Sequence, residues 1–238
     1  LPKIVRNKIL ILSFLLLLTL TVGAVLNIKL ITKQGVNYHV SEIEIPLYLK
    51  VLNFYDRHFN YKWLVERLTK NQETKEEKVF RLFQWTHETI QRQPESLPIM
   101  DDHVWNVYVR GYGVEDNFHD LFATLCNYIE VDGAFIRLNS KNSKIQLGMS
   151  VIKLEKGWVL FDPYRGGYFL NKLGTWATIE DINQNNWKLE KLGTTEISES
   201  VYTPYFQNLS SMDDIGLVRA NIQSPVNRLL KAVQQLGF

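Results

Sequence analysis

Hydrophobic and polar positions divide the chain into an apolar N-terminal stretch, a helical middle and a part with strand-like alternation. Ile9 to Leu26 carry no charge, and most of these residues are Leu, Ile or Val. A helix of this length measures roughly 27 Å, and its continuation to Lys29 completes a bilayer crossing. The pattern predicts a transmembrane helix over residues 9–29, within an N-terminal segment of residues 1–33.

The charges that flank this segment predict its orientation. Lys3, Arg6 and Lys8 precede the apolar run, whereas Glu42 and Glu44 join Lys29 and Lys33 after it. The positive-inside rule therefore places the N-terminus in the cytoplasm. We expect a single-pass protein of the cytoplasmic (inner) membrane, with a periplasmic or otherwise extracytoplasmic globular part.

A cleaved signal peptide is the alternative for the same segment. Val22-Gly23-Ala24 offers the small residues that a cleavage site needs. The apolar run is longer than the roughly 7 to 15 residues of a signal core, which favours a retained anchor.

Helical spacing follows a linker that is expected at residues 34–45, and the globular domain is expected at 46–238. Residues 46–70 have aromatic and aliphatic side chains spaced as one or two amphipathic helices. Thr74 and Glu77 form a capping-box pattern that starts the next helix.

The third predicted helix runs from about Val114 to Glu130 and has the widest apolar face, which indicates a central buried helix. After it the pattern alternates with a period of two, and Lys156-Gly157 is expected to turn a hairpin. Strands are predicted at about 134–138, 145–154 and 158–162, followed by a short helix at 179–182 and an amphipathic helix around 226–233. Helices followed by antiparallel strands predict an α+β fold with the central helix packed on the sheet.

Composition excludes several functions. Lys and Arg total 27 against 25 Asp and Glu, so the chain lacks the basic excess typical of nucleic-acid binding. Cys126 is the single cysteine, which excludes an intrachain disulfide and a cysteine-rich zinc site. No phosphate-binding glycine loop is present. We therefore expect no metal, no cofactor and no nucleic-acid partner.

Two segments resemble the transglutaminase-like superfamily, whose papain-like core places a cysteine at the start of the central helix and a histidine and an aspartate on later strands. They are "GYGVEDNFHDLFATLCNYIEVDGAFIRL" at 111–138 and "GMSVIKLEKGWVLFDPYRG" at 148–166. The most specific part is Gly157-Trp158 followed by Asp162-Pro163. The resemblance implies a papain/transglutaminase-like core over about residues 76–165.

The resemblance also implies that the reactive positions are substituted. Glu115 stands where the family has its cysteine, or Phe118 in an alternative register, and Met149 stands at the histidine position. Only Asp162 matches. A carboxylate and a thioether cannot supply an activated thiolate and its base, which predicts a pseudoenzyme. We expect the helix N-terminus to stabilise the Glu115 carboxylate and Met149 to fill the slot of the lost imidazole.

Other polar residues are candidates for binding or catalysis. His119 lies one turn after Glu115, which allows an acid–base couple, a shared metal with Asp162, or a solvated or hydrogen-bonded pair. Arg165 could bind an anion or pair with Asp162 or Glu115. Aromatic residues expected to flank the cleft are Trp105, Tyr108, Tyr112, Tyr164 and Tyr168.

Three further features favour structural explanations. Cys126 lies on the apolar face of the central helix and is expected to be a core residue. The polar cluster Asp101, Asp102 and His103 is typical of a loop. Asn208 begins a glycosylation triplet that would matter only in a eukaryotic secretory pathway.

These observations support two main functional hypotheses. The first is a catalytically inactive, membrane-anchored binding or scaffold protein, an accessory subunit of a larger membrane or envelope complex with integral membrane or envelope partners. The second is a divergent cell-envelope hydrolase or transferase that uses Glu115, His119 and Asp162, which requires these groups to converge in an open pocket. A passive ligand-binding cleft is a third possibility, which Met149 and Phe118 would plug.

Overall fold

A computed structural model describes residues 3–36, 39–97, 104–140, 143–194, 196–207, 209 and 219–220. The chain divides into two compact units, Leu1–Asp56 and Arg57–Phe238. The polar cluster at 101–103, Asn208 and the helix predicted around 226–233 lie outside the described residues.

The first unit begins with helix α1 (Lys3–Leu26). Its segment Val5–Leu26 has a mean hydropathy of 2.8 and no buried residue, so it is long and apolar enough to cross a membrane. Strands β1 (Lys29–Val36) and β2 (His39–Pro46) then pair in an antiparallel hairpin. The segment expected to be a linker therefore contains a strand.

Helix α2 (Leu47–Thr69) is the single long helix expected over residues 46–70, and the boundary between the units falls within it. The backbone N–H of Leu47 donates to the carbonyl of Ile28 at 2.9 Å. Within the first unit, α2 thus begins beside the end of α1.

The second unit contains the remaining helices and one main sheet. Helix α3 (Lys75–Thr89) has the predicted capping box, because the Glu77 N–H donates to Thr74 and the Thr74 N–H donates to Glu77. Helix α5 (Glu115–Asn127) is the predicted central helix. The short elements between and after them are β3 (Gln91–Arg92), α4 (Val104–Arg110), β4 (Tyr112–Gly113), α6 (Ile179–Asn183) and α7 (Thr203–Phe206).

The main sheet has six strands, all antiparallel to their neighbours, in the order β10-β5-β6-β7-β8-β9. Its strands are β5 (Gly133–Ser140), β6 (Ser143–Leu154), β7 (Gly157–Asp162), β8 (Gly167–Leu170), β9 (Lys188–Lys191) and β10 (Arg219–Ala220). The α+β fold, with a central helix on an antiparallel sheet, is confirmed.

Both faces of this sheet are buried. Phe122 and Leu125 of α5 pack with Ile152 of β6 in one apolar cluster. Met149 of the same strand belongs to a second cluster, with Phe169 and Phe206. Neighbouring residues of a strand point to opposite faces, so α5 covers one face and the elements around α7 cover the other. Burying each such side chain contributes about 1.5–3 kcal/mol.

Candidate functional site

The start of α5 has a defined local geometry. The backbone N–H of Val114 donates to Asn117 Oδ1 at 3.1 Å, which caps the first turn. A Cβ on Gly113 would lie 2.8 Å from the Cβ and Oδ1 of Asn117, so the close approach requires glycine. Glu115 and Asp116 therefore occupy the first turn, where the helix dipole stabilises negative charge.

Arg165 joins the start of α5 to the end of β7. Its Nη1 donates to Glu115 Oε1 at 2.7 Å and to Asp162 Oδ2 at 3.0 Å. Its backbone N–H donates to Asp162 Oδ1 at 2.9 Å. Arg165 thus makes both of the contacts that the sequence left open, and its side chain is only 23% exposed.

Asp162 is fully buried and accepts a further hydrogen bond from the Tyr202 hydroxyl at 2.9 Å. Burial raises the pKa of Asp162, against the opposing effects of Arg165 and Tyr202. Burial and the neighbouring Asp162 raise the pKa of Tyr202. The network therefore combines two carboxylates, one guanidinium and one phenol.

His119 borders this network but is not hydrogen-bonded to it. Its Nδ1 lies 3.0 Å from Ser150 Oγ, and its ring stacks on Phe135. Its Nε2 lies 3.9 Å from Asp162 Oδ1, beyond hydrogen-bond distance, and has no partner in the described part of the chain. Burial lowers the pKa of His119 to about 4, so the imidazole is neutral at pH 7.

The expected role of Met149 needs correction. Met149 pairs with Ile136, and both side chains belong to the cluster on the face away from α5. The strand position beside the start of α5 is Gly148, where an added Cβ would lie 3.2 Å from His119 Cδ2 and 3.3 Å from Glu115 Oε1. The imidazole of His119 therefore lies against the strand position that Gly148 leaves without a side chain.

Glu115, His119 and Asp162 do come together, but not in the arrangement that the enzymatic hypothesis requires. Glu115 is engaged by Arg165, and its side chain is 30% exposed. The side chains of His119 and Asp162 are both fully buried. A substrate has no access to the latter two in this arrangement.

The expected cleft aromatics separate into different environments. Tyr164 lies at the site, where the guanidiniums of Arg92 and Arg165 approach its ring at 4.7 and 5.4 Å. Trp105 instead packs against Tyr61 and Tyr108 at the apolar core. The ring of Tyr112 is contacted by the guanidinium of Arg110, and Tyr168 packs on Phe80 and Phe83. Of the five, only Tyr164 contacts a member of the charge network in the described contacts.

Cys126 is a core residue, as predicted. It is fully buried, and burial raises the pKa of its thiol. It lies at the opposite end of α5 from Glu115. Among the described residues, no group of three or more His, Cys, Asp and Glu side chains is placed to hold a metal ion.

Sequence reasoning missed three participants: Tyr202, Ser150 and Gly148. Tyr202 is forty residues from Asp162 in the chain, and no spacing rule connects the two. Ser150 and Gly148 alternate with Met149 on β6, so the pleat of a correctly oriented strand would have identified them.

Comparison with known proteins supports the fold. The family model of the transglutaminase-like superfamily matches residues 62–163. No curated protein matches the chain.

Three solved structures are similar to parts of the chain. A proposed cysteine protease from Cytophaga hutchinsonii has 15% identity and a TM-score of 0.40, with 49% of this chain and 42% of that chain covered. A proposed protease from Parabacteroides distasonis has 12% identity and a TM-score of 0.38, with 55% and 35% covered. A TGase has 12% identity and a TM-score of 0.36, with 56% and 43% covered. The chain thus spans less than half the length of these three proteins.

The family match covers α3, α5 and strands β5–β7, which carry Glu115, His119 and Asp162. Residues 62–163 are therefore similar to the transglutaminase-like superfamily, and they follow a helix that is long and apolar enough to cross a membrane.

Proposed function

We propose that this chain is a membrane-anchored binding protein whose transglutaminase-like domain is catalytically inactive and serves as an accessory subunit of a membrane or envelope complex. One observation carries the proposal. The first residue of the central helix is Glu115, and Arg165 holds its carboxylate in an ion pair. Acyl transfer through a thiolate needs a cysteine beside a base, whereas the single Cys126 is buried in the core.

The surroundings of His119 support the same conclusion. A general base must reach the proton that it abstracts. His119 is buried, its Nδ1 is engaged by Ser150, and its Nε2 faces Asp162 inside the protein. The alternative hydrolase or transferase would have to expose these groups through a rearrangement.

The surface of α2 supports a binding role. Phe59 and Trp63 are four residues apart, which puts them on one face of the part of α2 that belongs to the second unit. Each is at least half exposed. Large exposed apolar side chains that share a helix face are typical of a contact surface. Because the same chain carries a helix that is long and apolar enough to cross a membrane, we infer that the partner is a membrane or envelope protein.

The anchoring proposal follows the charge pattern of the N-terminal segment. Lys3, Arg6 and Lys8 precede the apolar segment, which favours an N-terminus in the cytoplasm and an extracytoplasmic domain. Anchoring raises the local concentration of the domain near other membrane components, so a modest interface can suffice for a stable complex.

Photo-crosslinking in native membranes tests the binding role. A photoreactive amino acid at Trp63 should give a defined cross-linked product, and the same partner should co-purify stoichiometrically after gentle detergent extraction. The matched control places the photoreactive group at Lys62, which is exposed on another face of α2. If the protein runs alone and neither position cross-links, the binding role is wrong.

An activity assay tests the inactive state separately. The purified protein should not hydrolyse or transfer acyl groups of cell-wall peptides, and Glu115→Gln should leave that background unchanged. Turnover that is lost on Glu115→Gln would instead establish the enzymatic alternative.

A further inference from the structure

The second unit contains a cavity of about 510 Å³, away from the Glu115 site. It lies between the start of α3, the β6–β7 turn, β8 and the loop after it. Val159, in the half of β7 that follows the β6–β7 turn, lines it, whereas Asp162 at the far end of this strand belongs to the charge network. Val159 and Asp162 are three positions apart, which corresponds to about 10 Å along the strand. Its volume is within the range of about 300–1,000 Å³ that is typical of small-molecule sites.

Three aromatic side chains line this cavity. The rings of Phe80, Tyr168 and Trp176 contact one another, with centroids 5.3 to 5.7 Å apart. Each ring is only partly buried, so part of its surface remains available. Leu154, Val159 and Leu170 supply further apolar lining. The cavity therefore favours a ligand with an apolar body.

The lining of the cavity carries more negative than positive charge. Glu76 and Glu155 both line the cavity, against the single cation Lys156. Neither carboxylate makes a hydrogen bond or an ion pair with the described part of the chain. Unpaired carboxylates beside a partly desolvated aromatic surface favour a cation, because the ring faces are also negative.

The α3 N-terminus does not reverse this preference. A free helix N-terminus would attract an anion through its unsatisfied N–H groups. Here the Thr74 hydroxyl accepts from the Glu77 N–H, and the Glu77 carboxylate accepts from the N–H groups of Glu73 and Thr74. The capping box thus occupies two of the N–H groups of this helix start, and the Glu77 carboxylate already places a negative charge there.

We propose that this cavity binds a small organic cation with an apolar or aromatic body, such as a quaternary ammonium compound. The rings of Phe80, Tyr168 and Trp176 provide the cation–π surface. Glu76 and Glu155 provide the countercharge. This site is independent of the proposed function of the domain.

A matched pair of probes tests the proposal on the full chain in lipid nanodiscs. (3-Hydroxyphenyl)trimethylammonium and 3-tert-butylphenol have nearly the same shape, but only the first carries a charge. With 5-fluorotryptophan incorporated, the resonance of Trp176 is assigned by its loss in Trp176→Phe, and empty nanodiscs correct for partition into lipid. The cation should shift this resonance saturably, with an affinity about tenfold or more above that of the phenol.

Charge-neutralising variants locate the effect. The double variant Glu76→Gln/Glu155→Gln should reduce the ratio of the affinities of the cation and the phenol to threefold or less, because both nearby countercharges are removed. Glu88→Gln, at an exposed position of the same helix α3, should preserve the wild-type ratio of the two affinities. The proposal is wrong if the two probes bind equally, if neither shifts Trp176 at millimolar concentration, or if the double variant retains the wild-type preference.

Discussion

The two ends of β7 place charged groups in opposite situations. At the Asp162 end, Arg165 bonds to both Asp162 and Glu115, and Tyr202 adds a hydrogen bond from within the core. At the Val159 end, Glu76 and Glu155 line a cavity without an ion-pair partner in the described part of the chain. Paired and buried charges hold a structure together, whereas unpaired charges beside a cavity are available to a ligand.

This comparison reverses the expectation from the family resemblance. The resemblance draws attention to the start of α5, where a catalytic cleft is expected. In this chain the charges there satisfy one another, and the more accessible chemistry lies at the opposite end of the strand. Substitutions at the Asp162 end should therefore affect stability, and substitutions at the Val159 end should affect ligand binding.

The largest effect is expected for Arg165→Met. Removing the guanidinium leaves Asp162 buried with its charge uncompensated, which should lower the free energy of unfolding by about 3–5 kcal/mol. The measurement is urea unfolding of the full chain in detergent micelles. Arg92→Met is the matched control, because Arg92 also contacts the Tyr164 ring but is exposed. Equal losses in the two variants would contradict a structural role of the buried pair.

The second effect is a pH dependence due to His119. Its pKa is about 4 when folded and about 6.5 when unfolded, so the unfolded chain binds more protons between these values. The contribution of the neutral His119 imidazole to the free energy of unfolding is therefore complete above pH 6.5. This contribution falls by about 3 kcal/mol as the pH drops towards 4. The raised pKa of Asp162 has the opposite effect at the acidic end, because the folded form gains the proton first.

Unfolding free energies at pH 7 and pH 4.5 measure this dependence. His119→Gln should flatten the profile, since glutamine does not titrate. His58→Gln serves as the control, because His58 is only partly buried although its pKa is also lowered. An unchanged profile in His119→Gln would mean that the buried imidazole does not cause the acid sensitivity.

The smallest effect is expected at the other end of β7. Glu76→Gln/Glu155→Gln should change the free energy of unfolding by less than about 1 kcal/mol, because neither carboxylate has a partner among the described residues and only Glu76 lies near a helix N-terminus. The same unfolding assay checks it. A loss similar to that of Arg165→Met would remove the distinction between the two ends.

Much of the fold could be predicted because its elements carry local signals. The capping box at Thr74 and Glu77 identified the start of α3, and the wide apolar face identified α5. Helix α4 was missed because Val104, Val107 and Val109 are β-branched and favour strands in isolation, whereas Val104 and Val107 pack in the core.

The site was only partly predictable. Arg165 and Asp162 are three residues apart, so their pairing was available to local reasoning. The sheet face to which Met149 points could not be predicted in this way. Met149, Ser150, Val151 and Ile152 are all buried, so the usual alternation of polar and apolar residues is absent. Tyr202 reaches Asp162 through tertiary structure alone.

The central claim is that the charge at the start of α5 is structural rather than catalytic, and the free energy of unfolding of Glu115→Gln tests it most directly. Catalytic groups are commonly held at a cost to stability, so their removal leaves stability unchanged or increases it. A structural ion pair predicts the opposite sign. We predict a loss of about 1 kcal/mol for Glu115→Gln and none for the exposed control Glu88→Gln. A Glu115→Gln variant that is as stable as the wild type, or more stable, would contradict the account.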